Sequence, residues 1–296
     1  MSVREHKVTV TYNGTISTWY NDKRKIHRED GPAWIENNHD GRIFEMWYQN
    51  GMPHRVGAPA VIERRNDHVT EESWYVNGLN HRVGGPARIE RNQEGVVVLE
   101  EWYENGNLHR VGGPAIIRSV ENDVREEMWF ENGIFHRIGG PARIERNHEG
   151  VVVFEEWYEN GNLHRVGGPA ILRLNNNNVR EEWIEHGIFH RAGGPAVIER
   201  NEEGVVVLEE WYENGNLHRI GGPARIERNE DGDVIDEYFL YGHWIDKPDY
   251  IRRLNIIKRF ANKLKKNYRI SLVSVLKETD LFQEKYLCHE VAKYMI

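Results

Sequence analysis

Residues 96–115 read VVVLEEWYENGNLHRVGGPA. Val96 to Glu104 is rich in β-branched and aromatic side chains, Asn105-Gly106 is the strongest short turn signal, and Gly113-Pro114 opens a second run from Ala115 to Arg118. The stretch predicts two strands per unit. Asn-Gly supplies the positive-φ positions of a tight turn, and Pro114, which has no N–H, belongs at a strand start or outside the ladder. Alternation puts Val98, Glu100 and Trp102 on one side and Val97, Leu99, Glu101 and Tyr103 on the other, so both faces are mixed. One hairpin with so little apolar area is marginal in water; stacking against further copies would complete its core.

The chain contains those copies. His-Arg recurs at His27, His54, His81, His109, His136, His164, His190 and His218, at spacings of 26 to 28 residues. Seven residues earlier stand Trp47, Trp74, Trp102, Trp129, Trp157, Trp183 and Trp211, while the first copy, from Trp19, is one residue longer. A proline follows each histidine by five residues, from Pro32 to Pro223. The segment around Trp102 returns almost unchanged around Trp157 and Trp211, as duplication of a two-copy block would leave it. The expected fold is mainly β, an elongated antiparallel β-hairpin repeat array with a small C-terminal α-helical cap. Its parts are an N-terminal strand pair in 1–20 turning at Asn13-Gly14, eight tandem repeats over 15–245, and a basic helical segment over 246–296.

These features resemble MORN (membrane occupation and recognition nexus) repeats. Trp102, Tyr103, Gly106, His109 and Gly113 match that pattern, with two extra residues between histidine and glycine and a proline afterwards. The longer H-R-x-x-G-P-A form is similar to repeats in giant DNA virus and phage proteins. The resemblance implies an array of successive hairpins serving as a scaffold or interaction platform, in some cases near phosphoinositide membranes. Asn105, Arg110 and Pro114 complete the structural motif of the unit.

Composition narrows the function classes. Charged residues make up 29% of the chain and hydrophobic ones 39%, yet 10 Trp and 13 Tyr supply burial, which separates it from disordered chains of similar polarity. The one cysteine, Cys288, excludes an intramolecular disulfide framework. No apolar run after Met1 resembles a signal peptide, and no stretch approaches about 18 apolar residues. The expected location is cytoplasmic, in a host cytoplasm or virion if the source is viral. Residues 246–296 hold 12 basic and 6 acidic residues, a net of +6; the totals of 39 and 47 leave 27 and 41 for residues 1–245, a net of −14. Such an acidic body argues against nucleic acid as its partner.

Repetition also weighs on the chemistry. Equivalent histidines two strands apart lie roughly 10 Å from each other, too far to share one zinc ion. The expected role of His109 and its equivalents is to pack beside the turn and bond backbone left unpaired by Gly-Gly-Pro. Glu100, Glu101 and Glu104 could be read as acid–base groups, but they recur with Arg88, Arg91, Arg143 and Arg146, as cross-strand ion pairs would. No Walker-type or G-x-G-x-x-G loop is present. Neither a catalytic residue, a cofactor nor a metal site is expected. The tryptophans are expected to pack between hairpins, with an aromatic stripe for carbohydrate as an alternative.

Beyond Pro248 the period changes. Tyr250, Leu254, Ile257, Ala261 and Leu264 form the apolar face of an amphipathic helix. Arg252, Arg259, Lys263 and Lys266 line its opposite side and are the candidate interaction residues, with Arg253, Lys258 and Lys265 flanking. Further helical runs are expected at Leu272 to Lys277 and Leu281 to Met295, with Asp280 and Gln283 as a cap. Such helices would cover the last sheet edge. The leading expectation is a non-enzymatic repeat scaffold or protein-interaction module, bound to protein partners or to itself; the alternative is peripheral binding of an anionic membrane through the basic helix. Specificity is expected where copies differ: Met52-Pro53, Asn175 to Asn178 and residues 246–296.

Overall fold

A computed structural model describes residues 5–66, 68–119, 125–175, 178–229 and 231–266, with side chains through residue 259. The chain is mainly β and divides into two compact units, 1–164 and 165–296. In the first, twelve described strands pair antiparallel in chain order, from Glu5–Thr11 to Val152–Glu156. Seven described strands do the same in the second, from Ile171–Asn175 to His243–Ile245. The array of antiparallel hairpins expected from the period is present in both.

The unit is richer than two strands joined by Asn-Gly. Val97–Glu101 does pair with Ile116–Ser119, but the excursion between them folds into a hairpin of its own, Tyr103–Glu104 against Asn107–Leu108. Asn105 and Gly106 close that small hairpin at φ 49° and 84°, the two positive values of a type I′ turn. The reverse connection between long strands was not foreseen. Between Arg88–Arg91 and Val97–Glu101 the Asn92 side chain accepts from the Glu94 and Val96 N–H groups, and Gly95 takes φ 80°. Asn147 and Asn201 repeat the device. At the N-terminus Thr11 pairs with Gly14, so the turn is Tyr12-Asn13 rather than Asn13-Gly14. Gly14 serves the sheet instead, since a Cβ there would lie 1.9 Å from the Asn37 carbonyl oxygen.

Register explains the alternation of large and small residues. The Trp102 N–H donates to the Ala115 carbonyl, Trp74 to Ala87 and Trp129 to Ala142, so tryptophan and alanine sit opposite one another row after row. Trp74, Ala87 and Ile89 form one packed cluster, with Tyr103 against it. Ala33, Ala60, Ala87, Ala115 and Ala142 in the first unit, and Ala170, Ala196 and Ala224 in the second, are 0% exposed. Beside this row, on the same face, Ile62, Glu72, Ile89, Glu100, Ile117, Glu127, Ile144 and Glu155 follow one another across the strands. Each isoleucine is thereby flanked by carboxylate-bearing residues whose stems extend the apolar cover.

After its strands the second unit carries a helix, Lys247–Lys266. Asp246 caps it: its side chain accepts from the Asp249 N–H at 2.7 Å and its carbonyl from the Tyr250 N–H. Tyr250 and Ile257 of the expected apolar face are buried and Leu254 is half-buried, whereas Arg252 and Arg259 are exposed. The side chains of Ala261, Lys263, Leu264 and Lys266 lie outside the described residues, as do the expected runs Leu272–Lys277 and Leu281–Met295 and the Asp280–Gln283 cap.

Candidate interaction surface

Every copy carries a loop from His-Arg to proline, in which the arginine, the glycines and the histidine have identifiable tasks. Arg110 lies over the Trp102 ring at 3.8 Å and donates to the Pro114 carbonyl at 3.2 Å. The same stack recurs for Arg55, Arg82 and Arg137 in the first unit and for Arg191 and Arg219 in the second. Gly112 takes φ 76°, and Gly113 makes room for the guanidinium, because a Cβ there would stand 2.9 Å from Arg110 Nε. One copy carries Ala58 at that second position, where Arg55 still stacks on Trp47 at 3.9 Å.

The histidine does something other than bond the Gly-Gly-Pro backbone. His109 Nδ1 accepts from the Asn132 N–H, in the Asn-Gly turn of the following copy, at 3.2 Å. His27, His54, His81 and His136 hold Asn50, Asn77, Asn105 and Asn160 in the same way. The glycine of that turn donates back too, from Gly133 N–H to the Leu108 carbonyl. An Nδ1 that accepts leaves the proton of a neutral ring on Nε2, which faces Glu104 at 3.5 Å. In the first unit the histidines thus tie successive small hairpins together. Replacing His109 by alanine is expected to lower stability by about 0.5–1.5 kcal/mol, since water can reach the freed Asn132 N–H. Urea denaturation with an unchanged slope would show it.

The glutamates do not form one ladder. Glu101 pairs with Arg88, which also holds Glu71 and Glu90; Arg143 likewise gathers Glu126, Glu145 and Glu156. Arg91 and Arg146 meet Glu72 and Glu127. Glu100 instead stands opposite Ile89 and Ile117 on the other face, where its equivalent Glu155 accepts from Trp157 Nε1. Burial alone would pull the Arg88 guanidinium down, but Glu71, Glu90 and Glu101 hold it above its ordinary range. The phenol of Tyr212 is pushed up to about 12, first by burial and then by Glu210, which accepts from it at 3.1 Å. Because the folded chain keeps this proton after the unfolded chain has lost it, stability should fall as pH rises from about 10 towards 12. The expected result is a shallower alkaline loss in Tyr212→Phe than in the wild type, followed by denaturation at stepped pH.

The Trp ring face that a sugar would stack upon already carries a guanidinium in these copies. Among the described residues no three His, Cys, Asp or Glu side chains gather as a metal ion would need. No described helix is long and apolar enough to cross a membrane. On the candidate basic stripe, Arg252 pairs with Asp249 at 2.6 Å, and Arg253 meets the other oxygen of the same carboxylate, holding it below the usual range.

No family model matches the chain, and comparison with curated proteins finds no significant match. The surface must therefore be read from its own geometry. Its most informative part escaped the sequence reading. Tyr238 stands where a ninth tryptophan would, 27 residues after Trp211, and Tyr241-Gly242 takes the place of Asn-Gly with φ 51° and 80°. The Tyr241 N–H meets His218 Nδ1 at 3.2 Å and the Gly242 N–H meets the Leu217 carbonyl, as in the copies from His27 to His136. The aromatic pair Tyr238-Phe239 followed by Tyr241-Gly242 was the available signal. This half-copy leads into the helix, whose Tyr250 packs on Tyr238 at 4.7 Å and on the last Gly-Gly loop.

Proposed function

We propose that this protein is a non-enzymatic repeat scaffold whose task is to bind another protein. The observation carrying this reading is that the chemically capable side chains are spent on the array, copy after copy. Histidine Nδ1 atoms hold the next turn, arginines cover tryptophans, and glutamates surround arginines. An active site needs a singular constellation with a free reacting group. The residues left over are surface loops with apolar tips, arranged periodically, which suits recognition by area. The likeness to MORN repeats supports the same role, and with it a viral setting in a host cytoplasm or virion.

Affinity purification of the tagged full chain from its native source, followed by mass spectrometry, tests this reading. A protein partner retained at stoichiometric level is the expected result. Turnover of a substrate that is abolished by one substitution within one copy would overturn it.

A further inference from the structure

The loops after His-Arg end in aliphatic side chains that the array does not use. Val83, Val111 and Ile138 are 87–88% exposed, each at the same place in its copy. Between the loops at Val111 and Ile138 lies a cleft of about 370 Å³, lined by His109, Gly112, Gly113, Trp129 and Glu131 as well. The consecutive N–H groups of Gly112 and Gly113, with a positive φ at the first, make a small concave donor pair. Among the described residues neither N–H makes a hydrogen bond within the protein.

At the last loop the equivalent place is filled. Tyr250 Oη accepts from the Gly221 N–H at 2.7 Å and the Gly222 N–H at 3.0 Å, and donates to the Arg219 carbonyl at 3.0 Å. Its ring rests on Tyr238, the counterpart of Trp129, and Ile220, the counterpart of Val111, is no longer exposed. Tyr250 itself is only 3% exposed. The chain thus supplies one occupied example of a site that it repeats. A phenol suits it, since one oxygen accepts two bonds and donates one while the ring covers apolar surface. The element presenting it is a basic helix, and the body it faces is acidic.

The geometry points to the internal clefts as docking sites for a partner protein, each taking a tyrosine from a basic amphipathic helix in the manner of Tyr250. This rests on the protein-interaction reading and names the chemistry of the partner. The hydroxyl would meet the Gly112 and Gly113 N–H groups, apolar side chains of the helix would cover Val111 and Ile138, and its basic residues would approach Glu131. The guanidinium on Trp129 remains in place, so the incoming ring enters between the loops rather than flat on the indole.

The test uses the full chain and a synthetic peptide with the sequence of residues 247–266, compared with the same peptide carrying Tyr250→Phe. Calorimetric titration is expected to show at least fivefold tighter binding by the tyrosine peptide, from the three hydrogen bonds that phenylalanine cannot make. In the full chain, Val111→Asp with Ile138→Asp should disable the cleft between those loops and so lower the number of tyrosine peptides bound per chain. Both positions are exposed, and circular dichroism should match the wild type. Equal binding of the two peptides, absence of binding, or indifference to the double substitution would overturn the site. Capture of a native partner equally by wild type and double variant would reject these clefts while leaving the scaffold reading standing; loss of all partner capture in the wild type would remove both.

Discussion

Trp74→Ala should cost about 3–5 kcal/mol of stability, the range for emptying a buried tryptophan site. Trp74 is 9% exposed and packs with Ala87, Ile89 and Tyr103. Its removal opens a cavity that alanines on the neighbouring strand are too small to fill. Arg82 loses the ring beneath it and keeps only its bond to the Pro86 carbonyl. Trp74→Phe should recover part of the loss. Because a repeat touches mainly its neighbours, amide exchange should accelerate first around residues 61–101 and leave strands of the second unit protected. A measured cost below about 1 kcal/mol would mean that the Trp–Ala row contributes little to the core.

The opposite change is also informative. Ala142→Leu is expected to destabilise by about 1–3 kcal/mol through overpacking, although leucine is more apolar than alanine. Ala142 is fully buried, and its N–H and carbonyl are bonded to the Glu156 carbonyl and the Trp129 N–H. A larger side chain must push the indoles apart and with them the Arg137 stack. Ala142→Gly should cost less. Stabilisation by leucine in chemical denaturation would show unfilled space between the rings and defeat the packing account.

Much of this architecture could be read from residues 96–115. The Asn-Gly turn, the alternation around Trp102 and the need for stacked copies all follow from local chemistry, and the strand ladders bear them out. What could not be read was how far a side chain reaches. His109 bonds a turn 23 residues ahead, a contact set by the stacking of copies rather than by anything adjacent in the chain. Similarly, Asn105-Gly106 looked like the link between two long strands because nothing in the sequence announces that Tyr103–Glu104 breaks away to form its own hairpin. Candidate residues fared unevenly. Arg252 and Arg259 are exposed as expected, but Tyr250, read only as one apolar position of a helix, is the side chain that engages the loop backbone. Its hydroxyl was the clue, since an amphipathic face made only for burial has no use for one.

The histidine contacts run in one direction only. The rings of His27, His54, His81, His109 and His136 each reach towards the turn that follows, and His218 is received by the Tyr241-Gly242 half-copy. The array consequently has a head and a tail that are chemically different, although its middle is monotonous. A chain with one more unit or one fewer could keep every such link only if whole copies were inserted or deleted upstream of Tyr238. Length is then free to vary while the terminus stays fixed, and surplus copies alter how many loops are displayed without disturbing how the stack is closed.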